Sequence, residues 1–531
     1  MLVIVLWFAF FGSKMKPPVP PPSPSAPAAS TVLSASPSAN SATAGSESSG
    51  SKPETKIDKE TLLLGMEWTN RGGRLSKILL KNYHQDVRRE SPPTNLLSLE
   101  GEESLRLVCQ SCSNALPADD LYEEIPSSDP RVIIFRAEQN GLVIQKRYEW
   151  SEDQYLFHLN VSIENRSDHE FQGQVGLGWV ARQFAEAPKK LGLFKGPSNQ
   201  RSFLYKLGTK VTHVQKRDEN AAFQGSIPWI GLEDRYFLIS LISRQISNNQ
   251  RLSFTHDGDR LNMALYSDPA VIPPQGRHEE QYSFYLGPKE RGSLKIAGVG
   301  LEDAVDYGWF SLLAIPILEL LKIFYMGVKN WGIAVILLTL FIKLVMNPLT
   351  IKSMKQMKAM QALQPKLQAL KEKYKNDKQK LNLETMALFR AHSVNPVGGC
   401  LPMVLQMPIY IALYKVIYNA IELYHAPFFG FYKDLAAPDP YFILPILLGI
   451  SMVAQQKLTP SASADPMQKQ MMMIMPIMFT GFMLFLPMGL VLYIFVNTLF
   501  SVIQQYMYQN GIRWRDVLRG NFRPALIPPS D

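Results

Sequence analysis

Cysteine is nearly absent, with three in 531 residues. That excludes a disulfide-stapled scaffold and any paired-cysteine zinc pattern. Cys400 lies in an apolar segment and reads as a packing residue. Cys109 and Cys112 form a lone CQSC without a βαβ pattern around it, which favours a short-range disulfide or two idle thiols over a redox role. Catalytic signatures are missing too. There is no Walker A, no G-x-S-x-G and no H-E-x-x-H. Scattered Asp, Glu and His select no acid/base pair by spacing. The chain therefore reads as no enzyme, with neither metal nor cofactor. A secretory signal is also lacking, because apolar Met1–Gly12 has no basic flank and no A-x-A site. It is too short to cross a bilayer, which takes about 20 apolar residues.

What is present divides in two. Hydrophobic residues make up 46% of the chain, yet mean hydropathy is only −0.06. The apolar runs lie at the two ends, so a membrane part and a soluble part fit better than one globular body. Residues 1–13 are expected to be an N-terminal span cut short, with the true start upstream. Residues 14–56 are dense in Pro, Ser and Ala and read as a disordered tether. Residues 57–300 read as a β-sandwich. Phe157, Leu159, Val161 and Ile163 alternate with polar residues, and Asn140-Gly141 separates two strand-like runs. Asn160-Val-Ser and Asn165-Arg-Ser match the glycosylation pattern, a weak signal. Residues 301–330 read as an amphipathic helix lying in the membrane interface, since Glu319, Lys322 and Pro316 interrupt its apolar run.

Residues 331–510 carry the spans: Trp331–Ile351, Val397–Ile421, Tyr441–Leu458 and the 33-residue run Met471–Ile503. That last run is too long for one crossing, and Pro487-Met488-Gly489 divides it into two. Lys352–Pro396 carries ten Lys/Arg against three Asp/Glu. Residues 511–531 hold Arg513, Arg515, Arg519 and Arg523. By the positive-inside rule both are cytoplasmic and the β domain is outside. The net charge of +9 thus points to a membrane surface rather than to nucleic acid.

The basic loop 352–395 reads as a helical hairpin. Met354, Met357, Met360, Leu363, Leu367, Leu370 and Tyr374 recur three or four apart, while Lys355 and Lys358 fall off that face. The methionine stripe can pack on its own partner helix or receive varied apolar clients. Lys343 sits inside an apolar span. A charge there costs about 2.5–3.5 kcal/mol on insertion scales. It either snorkels to the interface or faces a wet cavity. Thr339, Gln406, Gln455, Gln456, Asn497, Ser501 and Gln504 place polar atoms in the other spans or beside it. Each alone could be interhelical glue.

Several stretches resemble one family in order: VDYGWF (305–310), NPLT (347–350), NPVGGCLPMVLQMPIYIALY (395–414), DPYFILPILLG (439–449) and GLVLYIFVNTLFSVIQQ (489–505). They resemble the YidC-type membrane protein insertases of Gram-negative bacteria, strongly over roughly residues 300–510. The resemblance implies an α+β protein of the inner membrane: a polytopic core of five spans, an N-terminal span and a large periplasmic β-supersandwich. It implies a hydrophilic groove whose positive residue is Lys343, where arginine is common. Thr339 matches a client-contact position and Tyr493 an aromatic beside the client path, with Gln406, Asn497 and Ser501 as candidate lining. Ile494 stands where a tyrosine is usual. The implied clients are nascent integral membrane proteins. The lipid bilayer is a further partner, and the Sec translocon and the ribosome are candidates. The rivals are a secondary transporter and an extracytoplasmic carbohydrate-active enzyme. No inverted repeat in the spans favours the first.

Overall fold

The computed structural model describes residues 53–512 apart from 89, 98–101, 183–189, 192–193, 196–200, 215–220, 259, 396–400 and 459–465. The expected short N-terminal span, most of the tether, Cys400 and the arginine-rich tail lie outside the described residues.

Antiparallel strands run from Lys56 to Pro288. The largest sheet has nine strands, with Arg277–Pro288 paired between Leu156–Asn165 and Phe237–Ser243. The Asn140-Gly141 turn forms as its composition requires. Both residues are left-handed, at φ 54° and 74°, and they close the pair Gln139↔Leu142. A six-stranded sheet built on Phe171–Arg182 faces this one. The two meet through rings such as Phe203 and Phe254, 5.8 Å apart. Inward residues of Leu156–Asn165 alternate as expected, with Phe157, Leu159, Val161 and Ile163 all buried. Phe237–Ser243 is buried along its whole length, which suits a strand covered on both sides.

Two sequence features resolve here. Asn165 is fully buried, and its amide donates to the carbonyls of His169 (2.7 Å) and Ile272 (2.9 Å). The glycosylation pattern at this site is therefore corrected: the acceptor nitrogen is spent inside the fold. Cys109 and Cys112 are joined as a disulfide at the end of Glu103–Gln110. The pair closes a very short loop in a domain with a large apolar core, so its entropic contribution is small. Replacing both by serine should leave the protein's activity unchanged. Loss of activity at normal protein levels would contradict this.

Lys146 is fully buried in the sandwich. Its amine donates to the carbonyls of Gly72 (2.7 Å) and Leu105 (3.0 Å), tying its strand to two neighbouring segments. Burial, reinforced by the nearby Arg74, lowers its pKa to about 7. The unfolded chain then holds a proton that the folded chain does not, from pH about 7 up to the ordinary lysine range. Stability must rise with pH across that window, by at most about 1.4 kcal/mol per unit. Hydrogen exchange at Leu142–Trp150, corrected for the intrinsic rate, should slow from pH about 7 to about 9. Lys146→Met should abolish the trend. An unchanged slope in that variant would assign it elsewhere.

Past the short helix Arg291–Ala297, the apolar helices begin with α1 (Ser311–Val328), which packs on Trp331–Ala362 and Leu401–Asn419. α2 (Trp331–Ala362) is capped by Asn330, whose Oδ1 accepts from Ile333 N. It runs through the end of the expected span and into the basic loop. α3 (Gln364–Lys373) and α4 (Lys378–Ala391) complete the helical hairpin. The two are separated at residues 374–377, and Asp377 caps α4 by accepting from Lys380 N. α5 (Leu401–Asn419), α6 (Ile443–Leu458), α7 (Pro466–Met483) and α8 (Met488–Gln509) follow. α8 packs on α6 and α2 and meets α5 more lightly. By length and composition α1, α2 and α8 are long and apolar enough to cross a membrane. The β domain contacts the C-terminal end of α5. Arg235 donates to the carbonyl of Tyr418 (2.9 Å) and lies over its ring at 4.0 Å.

Candidate functional site

Three helices turn polar side chains toward one another. Lys343 and Asn347 stand one turn apart on α2. Gln406 and Tyr410 do the same on α5. Tyr493, Asn497 and Ser501 follow at intervals of four on α8, with Gln504 three further on. In a helix such spacing stacks residues on one face.

The faces are bonded across the helices. Lys343 Nζ donates to Ser501 Oγ at 2.7 Å, and Ser501 donates to Asn497 O within α8. Asn497 Nδ2 donates to Tyr410 OH at 2.7 Å, and Gln406 Nε2 donates to Tyr493 OH at 2.8 Å. The two tyrosine rings meet edge to face, 5.7 Å apart. Below Lys343, Gln504 Nε2 donates to Asn347 Oδ1 at 2.5 Å. Lys343 is only 9% exposed and forms no salt bridge among the described residues. Two acceptors, Asn497 Oδ1 and Gln504 Oε1, are buried with no hydrogen-bond partner among them. A lone ammonium and two spare carbonyl oxygens inside an apolar bundle cost stability.

Of the residues singled out from the sequence, Lys343, Gln406, Tyr493, Asn497 and Ser501 thus form one connected set. Thr339 lies a turn before Lys343 and is fully buried. Its hydroxyl donates to its own helix at Val335 O, 2.7 Å. The face is closed: helix-to-helix bonds occupy polar groups that an open groove would leave to solvent. Tyr410 and Asn347 were not singled out. The i, i+4 spacings Gln406–Tyr410 and Lys343–Asn347 are the signals that could have found them. In the basic hairpin Met354 is buried and Met357 and Met360 are half-buried, while Lys355 and Lys358 are exposed. The two sets of side chains separate as their spacing requires. α4 leaves Leu383 and Met386 exposed.

A folded β domain joined to a bundle of apolar helices with a lysine inside defines a polytopic membrane protein. Residues 323–515 match the family described as 60Kd inner membrane protein, and residues 56–320 match the YidC periplasmic domain. A membrane protein insertase YidC of Syntrophus aciditrophicus is 37% identical over 95% of this chain and 96% of its own. That of Geobacter sulfurreducens is 35% identical over 85% of this chain and 86% of its own. An active YidC insertase crystal structure with the first transmembrane domain resolved is 19% identical, with TM-score 0.37. It aligns over 86% of this chain and 93% of that one. The chain belongs to the YidC family of membrane protein insertases, on the strength of the sequence matches. It is an inner-membrane protein with a periplasmic domain, and its clients are membrane proteins. Neither the transporter nor the carbohydrate-enzyme reading is favoured by relatives that are named insertases.

Proposed function

We propose that the polar face shared by α2, α5 and α8 is the path of the client, and that Lys343 draws the client's translocated segment into it. The observation that carries this is the buried, carboxylate-free ammonium of Lys343 beside two unpartnered amide oxygens. Client polar groups exchange for the bonds Lys343–Ser501, Asn497–Tyr410 and Gln406–Tyr493 as the helices part. Thr339, Tyr493 and the rest then line the opened groove. The spare oxygens of Asn497 and Gln504 accept client N–H groups, and the ammonium takes a carboxylate. At an effective dielectric of 20, unit charges 4 Å apart attract by about 4 kcal/mol. The client's apolar segment then partitions into lipid at roughly 25 cal/mol per Å² removed from water, and this drives the step without nucleotide.

The same reading places loop 352–395 and the C-terminus in the cytoplasm by their lysines and arginines. The hairpin's exposed lysines meet anionic lipid or incoming chains. By this reading the protein acts alone or with the Sec translocon, and the ribosome is a candidate partner. α1 lies along the outer interface. Supporting that, Asp306 O accepts from Asn419 just before it, and Lys322 within it pairs with Glu422 at 2.7 Å. Both partners flank the outer end of α5.

The full chain, purified and reconstituted alone in phosphatidylethanolamine–phosphatidylglycerol vesicles, should insert a client with a short acidic translocated segment without nucleotide. Insertion only when ATP or a transport substrate is added would overturn the proposal.

A further inference from the structure

The segment between α5 and α6 carries an aromatic tip that the insertion path does not use. Phe429 is 81% exposed and Phe431 50%, and Tyr441 and Phe442 beside them are 60% and 46% exposed. Phe431 and Tyr441 meet edge to face, 5.1 Å apart.

The tip is held in shape. Phe428 N donates to Tyr432 O (2.9 Å) and Tyr432 N to Phe429 O (3.0 Å), with Gly430 left-handed at φ 57° between them. Asn330, which caps α2, donates from Nδ2 to Phe428 O at 2.7 Å. The Phe428 ring lies against Gly332, where a Cβ would come within 2.0 Å of it. Asp439, which caps α6 through Leu444 N, accepts from Tyr432 OH at 3.3 Å. Two helix caps thus hold one loop, and that loop directs its largest apolar side chains outward.

We propose that Phe429 and Phe431 form a fixed wedge seated in the headgroup–acyl boundary of the outer leaflet. Two features argue for lipid as the occupant. The tip is continuous with a lipid-facing stripe, because Ile443, Ile446 and Ile450 are exposed on α6 directly after Tyr441 and Phe442. Exposed Lys433 follows the tip and suits the phosphate layer above it. Tyr441, packed on Phe431, is of the amphipathic ring type that concentrates at that depth in membrane proteins. The wedge fixes the depth of α2 and α6 together, because Asn330 and Asp439 tie it to both. Naming the leaflet rests on the orientation proposed above. The depth does not.

The test is nitroxide accessibility in the full chain with Cys400→Ser, which leaves the Cys109–Cys112 disulfide in place. Labels go on Phe429→Cys, on Phe431→Cys as a second variant, and on Leu62→Cys, 70% exposed in the β domain. In phosphatidylethanolamine–phosphatidylglycerol vesicles, oxygen should relax the two tip labels several-fold more than a water-soluble nickel chelate does. The Leu62 label should show the reverse. A tip label as accessible to nickel as the Leu62 label would overturn the wedge. A label shielded from both reagents would also overturn it, in favour of a protein partner such as a second copy.

Discussion

Lys343→Ala is expected to cut insertion of clients with acidic translocated segments by about tenfold, with protein abundance unchanged. A charge fully engaged at an effective dielectric of 20 would give more, and partial hydration of the opened groove reduces it. The fold should tolerate the change. Lys343 has no buried carboxylate to strand, and Ser501 keeps its bond to Asn497 O. Lys343→Arg should retain insertion because it keeps the charge. Lys343→Glu should be at least as damaging as alanine. Clients with neutral translocated segments should be far less affected, which separates attraction from a packing defect. Insertion in depleted cells that express each variant reads all of these outcomes.

Removing Lys355–Arg390 is expected to impair insertion of all clients while the remaining helices still assemble. The deleted stretch carries the exposed lysines and the exposed Leu383 and Met386, which the proposed mechanism assigns to incoming chains and anionic lipid. By contrast, removing roughly residues 60–290 while keeping α1 should preserve insertion. None of the residues in the polar ladder comes from the β domain. Protease protection of a client in membranes that contain each deletion distinguishes the two. A stable hairpin deletion that inserts at the normal rate would reduce the hairpin to a solvated linker.

The helices were legible where the sequence itself sets their ends. Asn330 and Asp377 are capping residues and cap as such. The helix does not stop with the expected span at Ile351, because hydrophobicity ends there but helix propensity does not. Lysine, methionine and glutamine carry α2 on to Ala362, and α3 opens with Pro365 in its first turn. The long apolar run divides a little earlier than expected. Met483 ends α7, and Pro487 precedes α8 rather than opening the turn. Within the site, the same-helix spacing was visible but the facing register was not. Nothing in the sequence says that Asn497 meets Tyr410 or that Gln504 meets Asn347. Such pairings depend on the rotation and height of separate helices. The same limit hid the burial of Asn165, which follows from Ile272 returning alongside it more than one hundred residues later.

The most direct measurement is site-specific photocrosslinking from positions 339 and 343 during synthesis of a membrane protein. Probes on the exposed lipid face of α2, at Leu344 and Val345, serve as controls. The account predicts that the nascent chain crosslinks to 339 and 343 as its polar segment passes, and less to the control positions. Equal or stronger labelling at Leu344 and Val345, with none at 339 and 343, would contradict it.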